Sequence, residues 1–194
     1  MPLKKPFKSL IFEQLARIGK AVSNPNRLEL LEFLAQGERS VESLSQVTKL
    51  SVANTSQHLQ VLRQAGMVES RKEGLRVHYR LEDERVVALL GIMSGLANDH
   101  LAELNKLVIL YLTRRDGMDP VPAKELLERA REGSVTVLDV RPTHEYEAGH
   151  LPGAINIPLK DLEKNLSRLP QGQEVVAYCR GPYCVLAFEA VAQL

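Results

Sequence analysis

The residues best suited to covalent chemistry are the two cysteines of the chain, Cys179 and Cys184, close to its C-terminal end. Cys179 directly follows a short apolar run, residues 174–178, which is typical of a buried strand, and a helical pattern begins after Cys184. Loop N–H groups and a helix dipole favour anions, so we expect the Cys179 thiolate to be stabilised and nucleophilic. The alternative is a buried, inert cysteine. The intervening loop reads Arg180-Gly181-Pro182-Tyr183.

A second candidate is the uncharged polar face of a helix predicted between Leu50 and Val68. Ser51 can cap the start of this helix, and Gly66 suits the left-handed position just past its end. Amide side chains on the first turns of a helix can bond adenine edges in the major groove of DNA. An ordinary solvated face is the alternative. The apolar stripe contains Val52, Thr55, Leu59 and Leu62, and the polar face contains Ala53, Asn54, Gln57, Gln60 and Gln64.

The surrounding elements predict a helix-turn-helix with a basic hairpin beside it. Amphipathic patterns indicate a first helix over residues 8–22, a second that Asn26 can cap, and a third that Ser40 can cap. Residues 68–81 alternate in polarity and predict a hairpin. Basic side chains crowd the tip of this hairpin, where they would reach the phosphate backbone or the minor groove. They are Arg71, Lys72 and Arg76.

The charge and composition of the chain agree with contact to nucleic acid without requiring it. Residues 1–95 hold 14 Lys and Arg against 10 Asp and Glu, whereas the remainder is weakly acidic. Two cysteines near one end give no disulfide framework and suggest a reducing compartment, so we expect a cytoplasmic protein. No apolar run is long enough for a signal peptide or a membrane span, and no cofactor is expected.

Residues 8–95 resemble the winged helix-turn-helix of ArsR-type bacterial repressors. The resemblance is carried by Asn24-Pro25-Asn26-Arg27-Leu28, by the Ser-Gln-His-Leu core of residues 56–59, by Ala65-Gly66-Met67-Val68, and by residues 74–81. It implies a homodimer on double-stranded operator DNA, with the wing at phosphates and with Asn54, Ser56, Gln57 and His58 near bases. The apolar helical patterns over residues 8–22 and 84–115, the latter predicted as one long helix, would form the dimer interface.

Metal sensing, which occurs in many ArsR-type repressors, is not expected here. One class of these repressors uses cysteines in the helix before the reading helix, and residues 41–47 contain none. Another class uses Asp and His pairs on the last helix. Asp99 and His100 are adjacent here and point about 100° apart, and no His follows them on the helix.

The second half of the chain changes its hydrophobic period and predicts a separate α/β domain. Gly and Pro residues mark residues 116–122 as a linker between a domain of residues 1–115 and a domain of residues 123–194. Short apolar runs alternate with helical patterns, which favours a parallel sheet. The expected strands are residues 135–140, 155–157 and 174–178, and the expected helices are residues 123–131, 142–148, 158–169 and 185–194.

Residues 121–194 resemble the rhodanese (sulfurtransferase) domain. The resemblance is carried by Leu138-Asp139-Val140-Arg141, by Glu145-Tyr146 and by residues 149–158. It implies that Cys179 is the nucleophile and carries a persulfide in a loop that includes Arg180. Arg141 and Glu145 are four residues apart and are expected to pair.

Three features depart from the rhodanese pattern. Pro182 removes an N–H donor from the loop, Cys184 stands where a cationic or hydroxyl residue is common, and the last strand and helix of the family are expected to be missing.

Together the two halves predict a transcriptional repressor whose input is sulfur chemistry. Cys179 would accept sulfane sulfur from a donor such as thiosulfate or polysulfide, and Cys184 is a candidate resolving thiol. The alternative is a sulfurtransferase enzyme whose winged helix serves mainly for dimerisation or localisation.

Overall fold

The computed structural model describes residues 5–112, 121–181, 184 and 186–194, and the chain divides into two units, Met1–Gly95 and Leu96–Leu194. The first unit combines helices with a small antiparallel sheet whose strand order is β1-β3-β2. Its elements are α1 (Phe7–Val22), α2 (Pro25–Leu34), β1 (Arg39–Ser40), α3 (Val41–Thr48), α4 (Val52–Gln64), β2 (Val68–Glu73), β3 (Arg76–Leu81) and the first part of α5 (Arg85–His100).

Side-chain caps define where these helices begin. The Ser40 hydroxyl accepts from the Ser43 N–H and the Ser51 hydroxyl accepts from the Asn54 N–H, each at 3.2 Å, so both predicted caps are confirmed. The predicted cap of α2 is wrong by two residues. Asn24 caps this helix by accepting from the Arg27 N–H, since Pro25 is better suited to the first helical position, where no donor is needed.

The core of the first unit lies between α2, α3 and α4. Leu30, Leu44, Leu59 and Leu62 are fully buried there, which accounts for most of the apolar stripe of α4. Val52, the first residue of α4 and predicted in the same stripe, is instead 49% exposed. Arg27 ties α1 to α2, because its guanidinium donates to the main-chain carbonyls of residues 20 and 21 at the end of α1.

The predicted hairpin is confirmed, and a third strand completes its sheet. Glu73 pairs with Arg76 across a two-residue turn in which Gly74 has a φ of 60°, a conformation that favours glycine. The additional strand, β1, pairs with β3. It contains only two residues, so no alternating pattern could reveal it from the sequence.

The long helix predicted over residues 84–115 is wrong, because the structure interrupts it. Helix α5 ends at His100 and α6 spans Ala102–Leu112, while residues 113–115 lie outside the described part of the chain. The side-chain amide of Asn105 donates to the main-chain carbonyl of Asn98 at 2.9 Å across the break. Such side-chain bonds compete with helical backbone bonds, and residues of this type are poor helix formers.

The second unit contains the predicted parallel sheet, with the strand order β5-β4-β6. The predicted helix over residues 158–169 is instead two short 3₁₀ helices, Leu159–Asp161 and Glu163–Arg168. Residues 116–120 of the expected linker lie outside the described residues. The remaining elements are α7 (Ala123–Arg131), β4 (Val135–Asp139), α8 (Thr143–Ala148), β5 (Ile155–Asn156), β6 (Glu174–Tyr178) and α9 (Leu186–Val191).

Strand β4 is buried on both faces, which explains its continuous apolar sequence. Val135 and Val137 join a cluster with Leu126 of α7, whereas Leu138 and Val140 join a second cluster with residues of α9. Cys179, at the end of β6, packs against this second cluster. The sheet therefore delivers the cysteine loop to a fixed position.

Candidate functional site

Helix α4 presents the predicted amide face to solvent. Its opposite face is anchored because Thr55, Leu59 and Leu62 are buried. Asn54 and Gln57 are exposed together with Ala53, so nothing described in this chain covers the amide groups. This arrangement leaves two bidentate hydrogen-bonding groups open to a groove of DNA.

Two other residues expected near bases are less open. Ser56 and His58 are half-buried, and Nε2 of the His58 ring lies 3.4 Å from the side-chain nitrogen of Asn26 at the start of α2. The ring is therefore held between two helices of the unit. Its base contact stays a prediction, while its observed contact joins α4 to α2.

The three basic side chains of the wing differ in whether a carboxylate of the chain already binds them. Lys72 and Arg76 are exposed near the hairpin turn, at either side of Leu75, whose side chain is fully exposed. Arg71 instead binds the Glu38 carboxylate, with its Nε 2.9 and 3.0 Å from the two oxygens, and its Nη1 binds Glu73. The sequence analysis missed Glu38, because nothing in its local pattern indicates a partner 33 positions later.

Helices α1 and α5 carry large apolar side chains that remain in solvent. Large apolar side chains that remain exposed along a helix are typical of an interface. The most exposed of these side chains in the first unit are Phe7, Phe12 and Leu15 of α1 and Val87 and Ile92 of α5.

The two cysteines meet in one tight loop at the end of β6. The Cys179 thiol donates to the Cys184 carbonyl at 3.2 Å, and the Cys184 N–H donates to the Gly181 carbonyl at 3.1 Å. Cys179 is half-buried and Cys184 is buried, and both thiols are free. The other predicted loop residues, Pro182 and Tyr183, lie outside the described residues.

The thiols act on each other more strongly than the loop acts on either. A hydrogen bond with Cys184 is the main cause that raises the pKa of Cys179, and burial adds to it. The same bond is the main cause that lowers the pKa of Cys184, with main-chain N–H groups and the charge of Arg180 contributing further. The two thiols therefore titrate as one pair, with the thiolate favoured at Cys184. The sequence analysis expects a stabilised thiolate at Cys179, whereas the contact with Cys184 and burial both raise the pKa of that thiol.

Arg180, expected to act in the loop, is held by a buried carboxylate. Its Nε and Nη2 donate to the two oxygens of Glu145 at 2.9 and 2.7 Å. The predicted partner of Glu145 was Arg141, but the bidentate contact of Arg141 is with Asp139 at the end of β4. The Asp139 carboxylate also accepts from the Tyr178 hydroxyl.

In the described part of the chain, no group of three or more His, Cys, Asp and Glu residues has an arrangement that could hold a metal ion. None of the described helices has both the length and the apolar character needed to cross a membrane.

Two family models match the chain, one in each half. The model described as "Bacterial regulatory protein, arsR family" matches residues 24–70, and the model described as "Rhodanese-like domain" matches residues 122–194. The chain is 44% identical over 184 residues to the HTH-type transcriptional regulator Rv0324 of Mycobacterium tuberculosis. The aligned residues make up 95% of this chain and 80% of that protein.

Other relatives match the first half alone. The probable mercury resistance operon repressor of Streptomyces lividans is 34% identical over 90 residues, covering 46% of this chain and 72% of that protein. The transcriptional activator HlyU of Vibrio cholerae is 40% identical over 77 residues, covering 40% of this chain and 71% of that protein. A solved homodimeric winged helix-turn-helix DNA-binding domain of Mycobacterium bovis is 39% identical, with a TM-score of 0.47, covering 53% of this chain and 95% of that one.

Proposed function

Since the chain belongs to the ArsR-type transcriptional regulators and carries a rhodanese-like domain, we propose that sulfane sulfur taken up at Cys179 controls its binding to DNA. The observation that carries this proposal is the meeting of the two cysteines, the only ones in the sequence, in one loop. The 178 residues before them contain no other thiol that could sense sulfur.

Operator binding would use the amide face of α4 and the tip of the wing. Asn54 and Gln57 are exposed and suited to base edges, and Lys72 and Arg76 are exposed and suited to phosphates. The apolar side chains of α1 and α5 would be covered by a second copy of the chain, which would place two reading helices on a two-fold operator.

The sulfur step needs no oxidant other than the donor itself. The Cys184 thiolate takes the proton of Cys179, and the Cys179 sulfur attacks the outer sulfur of a persulfide R–S–SH, whose S–S bond breaks so that Cys179 becomes a persulfide and RS⁻ leaves. The departing RS⁻ then takes the proton from Cys184 and leaves as R–SH, which restores the Cys184 thiolate. With thiosulfate as donor, sulfite is the leaving group.

A second step would close the loop. The Cys184 thiolate attacks the inner sulfur of the Cys179 persulfide and expels HS⁻, which leaves a Cys179–Cys184 disulfide. Two thiols are oxidised, and the sulfane sulfur is reduced to sulfide. A reducing compartment such as the cytoplasm would return the loop to its dithiol state.

The response at the DNA would come from repacking of the loop. Cys179 packs against the apolar cluster formed by β4, α9 and their neighbours, so a new covalent bond at its sulfur changes the fit of that cluster. A coupling of about 1–3 kcal/mol between the sulfur site and the DNA site corresponds to about a 5–150-fold change in affinity.

The test measures DNA binding by the full chain to a duplex from the region upstream of its own gene, at fixed salt. Binding is compared before and after treatment with polysulfide, and mass spectrometry of the Cys179 and Cys184 peptides records added sulfur or a lost pair of hydrogens. We expect the affinity to change, in either direction, together with the mass. The double variant Cys179→Ser/Cys184→Ser is the control and should not respond.

Two outcomes would overturn the proposal. One is a double variant that responds to polysulfide as the wild type does, and the other is a wild type whose peptides gain sulfur or form a disulfide while its DNA affinity stays constant.

The match to the rhodanese-like domain also favours a second function, the catalytic transfer of sulfur. Steady conversion of thiosulfate and cyanide to thiocyanate would support that second activity, and a single stoichiometric uptake would contradict it.

A further inference from the structure

Glu145 of α8 has a burial that is unusual for a carboxylate. Its side chain is 0% exposed, and it holds both donor edges of the Arg180 guanidinium, which is itself 13% exposed. The two residues are 35 positions apart, so the pair joins α8 to the residue that follows Cys179. A buried pair of this kind gains little net stability, because desolvation of both charges offsets their attraction.

The place of Arg180 suggests what the pair does instead. Arg180 directly follows Cys179 and is held by Glu145. Its main-chain N–H and its positive charge both lower the pKa of Cys184, so Arg180 connects the buried carboxylate with the cysteine loop. An arginine side chain has many rotamers and loses considerable entropy when it is held in one of them. Glu145 accepts two parallel bonds from a planar fork, which leaves the guanidinium only one orientation.

We infer that Glu145 is a positioning residue for the cysteine pair, because it fixes the Arg180 guanidinium beside the loop in which Cys179 and Cys184 meet. This inference rests on the proposed function, in which the Cys184 thiolate takes the Cys179 proton and later expels sulfide. Glu145 itself touches neither sulfur donor nor reacting sulfur. In this inference, its effect on the cysteine loop is transmitted through Arg180.

The other charged groups around the loop have their own partners or lie in solvent. Asp139 and Arg141, beside the end of β4, bind each other and Tyr178. Glu189 of α9 is exposed. Of the described charged groups, Arg180 therefore acts most directly on the pair, and Glu145 acts on Arg180.

The test follows the rate at which iodoacetamide alkylates Cys179 and Cys184 in the full chain as a function of pH, with mass spectrometry resolving the two peptides. In Glu145→Gln we expect the pH at which alkylation reaches half of its maximal rate to rise by about one unit. This shift corresponds to about a tenfold lower alkylation rate at neutral pH. The matched control is Glu174→Gln, which breaks the exposed pair with Arg129 in the same unit and should leave the profile unchanged.

The sign of the change distinguishes positioning from simple electrostatics. If Glu145 acted only through its own negative charge, its removal would favour thiolates and alkylation would become faster, which would overturn the inference. An unchanged profile in folded Glu145→Gln would also overturn it. If Glu145→Gln does not fold, the double variant Glu145→Gln/Arg180→Gln replaces it, because it keeps a neutral hydrogen-bonded pair of similar shape. This double variant should show the same slow alkylation. A wild-type pH profile in the double variant would overturn the inference.

This measurement is independent of the regulator's response to sulfur. Alkylation requires neither polysulfide nor DNA, so the inference can fail while DNA binding still responds to sulfur. Conversely, a shifted profile in Glu145→Gln with no response of DNA binding to polysulfide would leave the positioning role in place and remove the proposed function.

Discussion

Arg71 of the wing and Glu38, 33 residues earlier in the chain, form a bidentate ion pair across the small antiparallel sheet. A second carboxylate, that of Glu73, binds the remaining edge of the same guanidinium at 2.6 Å. The contact with Arg71 is also the main cause that lowers the pKa of Glu38. To bind a phosphate, Arg71 would therefore have to exchange partners, whereas Lys72 and Arg76 are exposed and would not.

We predict that Glu38→Gln strengthens the binding of the chain to any duplex DNA. The change frees Arg71 for a phosphate, and one additional phosphate contact steepens the dependence of log K on log salt by about 0.9. Fluorescence anisotropy between about 50 and 200 mM salt measures this slope. The control is Glu82→Gln, which removes one exposed negative charge near the end of β3. Equal slopes in the two variants would contradict the prediction.

Base contacts and phosphate contacts should separate in a second pair of variants. Gln57→Ala should weaken binding to the operator by about 1–3 kcal/mol, while binding to unrelated duplex and the salt slope stay constant. Lys72→Gln should weaken both duplexes alike and reduce the slope by about 0.9. If Gln57→Ala weakened both duplexes equally, the α4 face would not read bases.

The phenol of Tyr178 should titrate well above the ordinary range for a tyrosine. Burial, and then the hydrogen bond to Asp139, raise its pKa from 10.0 to about 12. As the pH rises, the unfolded chain loses this proton before the folded chain does, so the stability it contributes is present below pH 10 and is lost between about 10 and 12. Tyrosinate absorbance measures the titration, and Tyr178→Phe should remove its last phase. Tyr146→Phe is the matched control, and a last phase that survives Tyr178→Phe would contradict the assignment.

Asp139→Ala should destabilise the second unit by about 3–5 kcal/mol, because it leaves the buried charge of Arg141 without its carboxylate. Urea unfolding measures the change, and the transition of the first unit should not move. The exposed pair of Glu125 and Arg129 provides the comparison, since Glu125→Gln should cost no more than about 0.5 kcal/mol. A similar loss of stability in both variants would contradict the prediction, because it would mean that the buried pair of Asp139 and Arg141 matters no more than an exposed pair.

Local signals in the sequence predicted much of the architecture. The caps at Ser40 and Ser51, the glycine that ends α4, the alternation of the wing and the apolar run of β4 all depend on residues within a few positions of each other. These local signals were enough to predict the winged helix-turn-helix, the parallel sheet and a cysteine loop at the end of a strand. At the break between α5 and α6, a side-chain bond from Asn105 to the Asn98 carbonyl competes with the helical backbone bonds, and there the prediction of one continuous helix was wrong.

The partners of the charged groups were decided only by the tertiary structure. Glu38 meets Arg71, and Glu145 meets Arg180, across more than thirty residues of chain in each case. An arginine can reach any of several carboxylates, and which one it meets depends on how distant elements pack together. The sequence alone therefore determined most of the elements and the residue types that they carry, while packing decided which carboxylate binds Arg71 of the wing and which binds Arg180 beside Cys179.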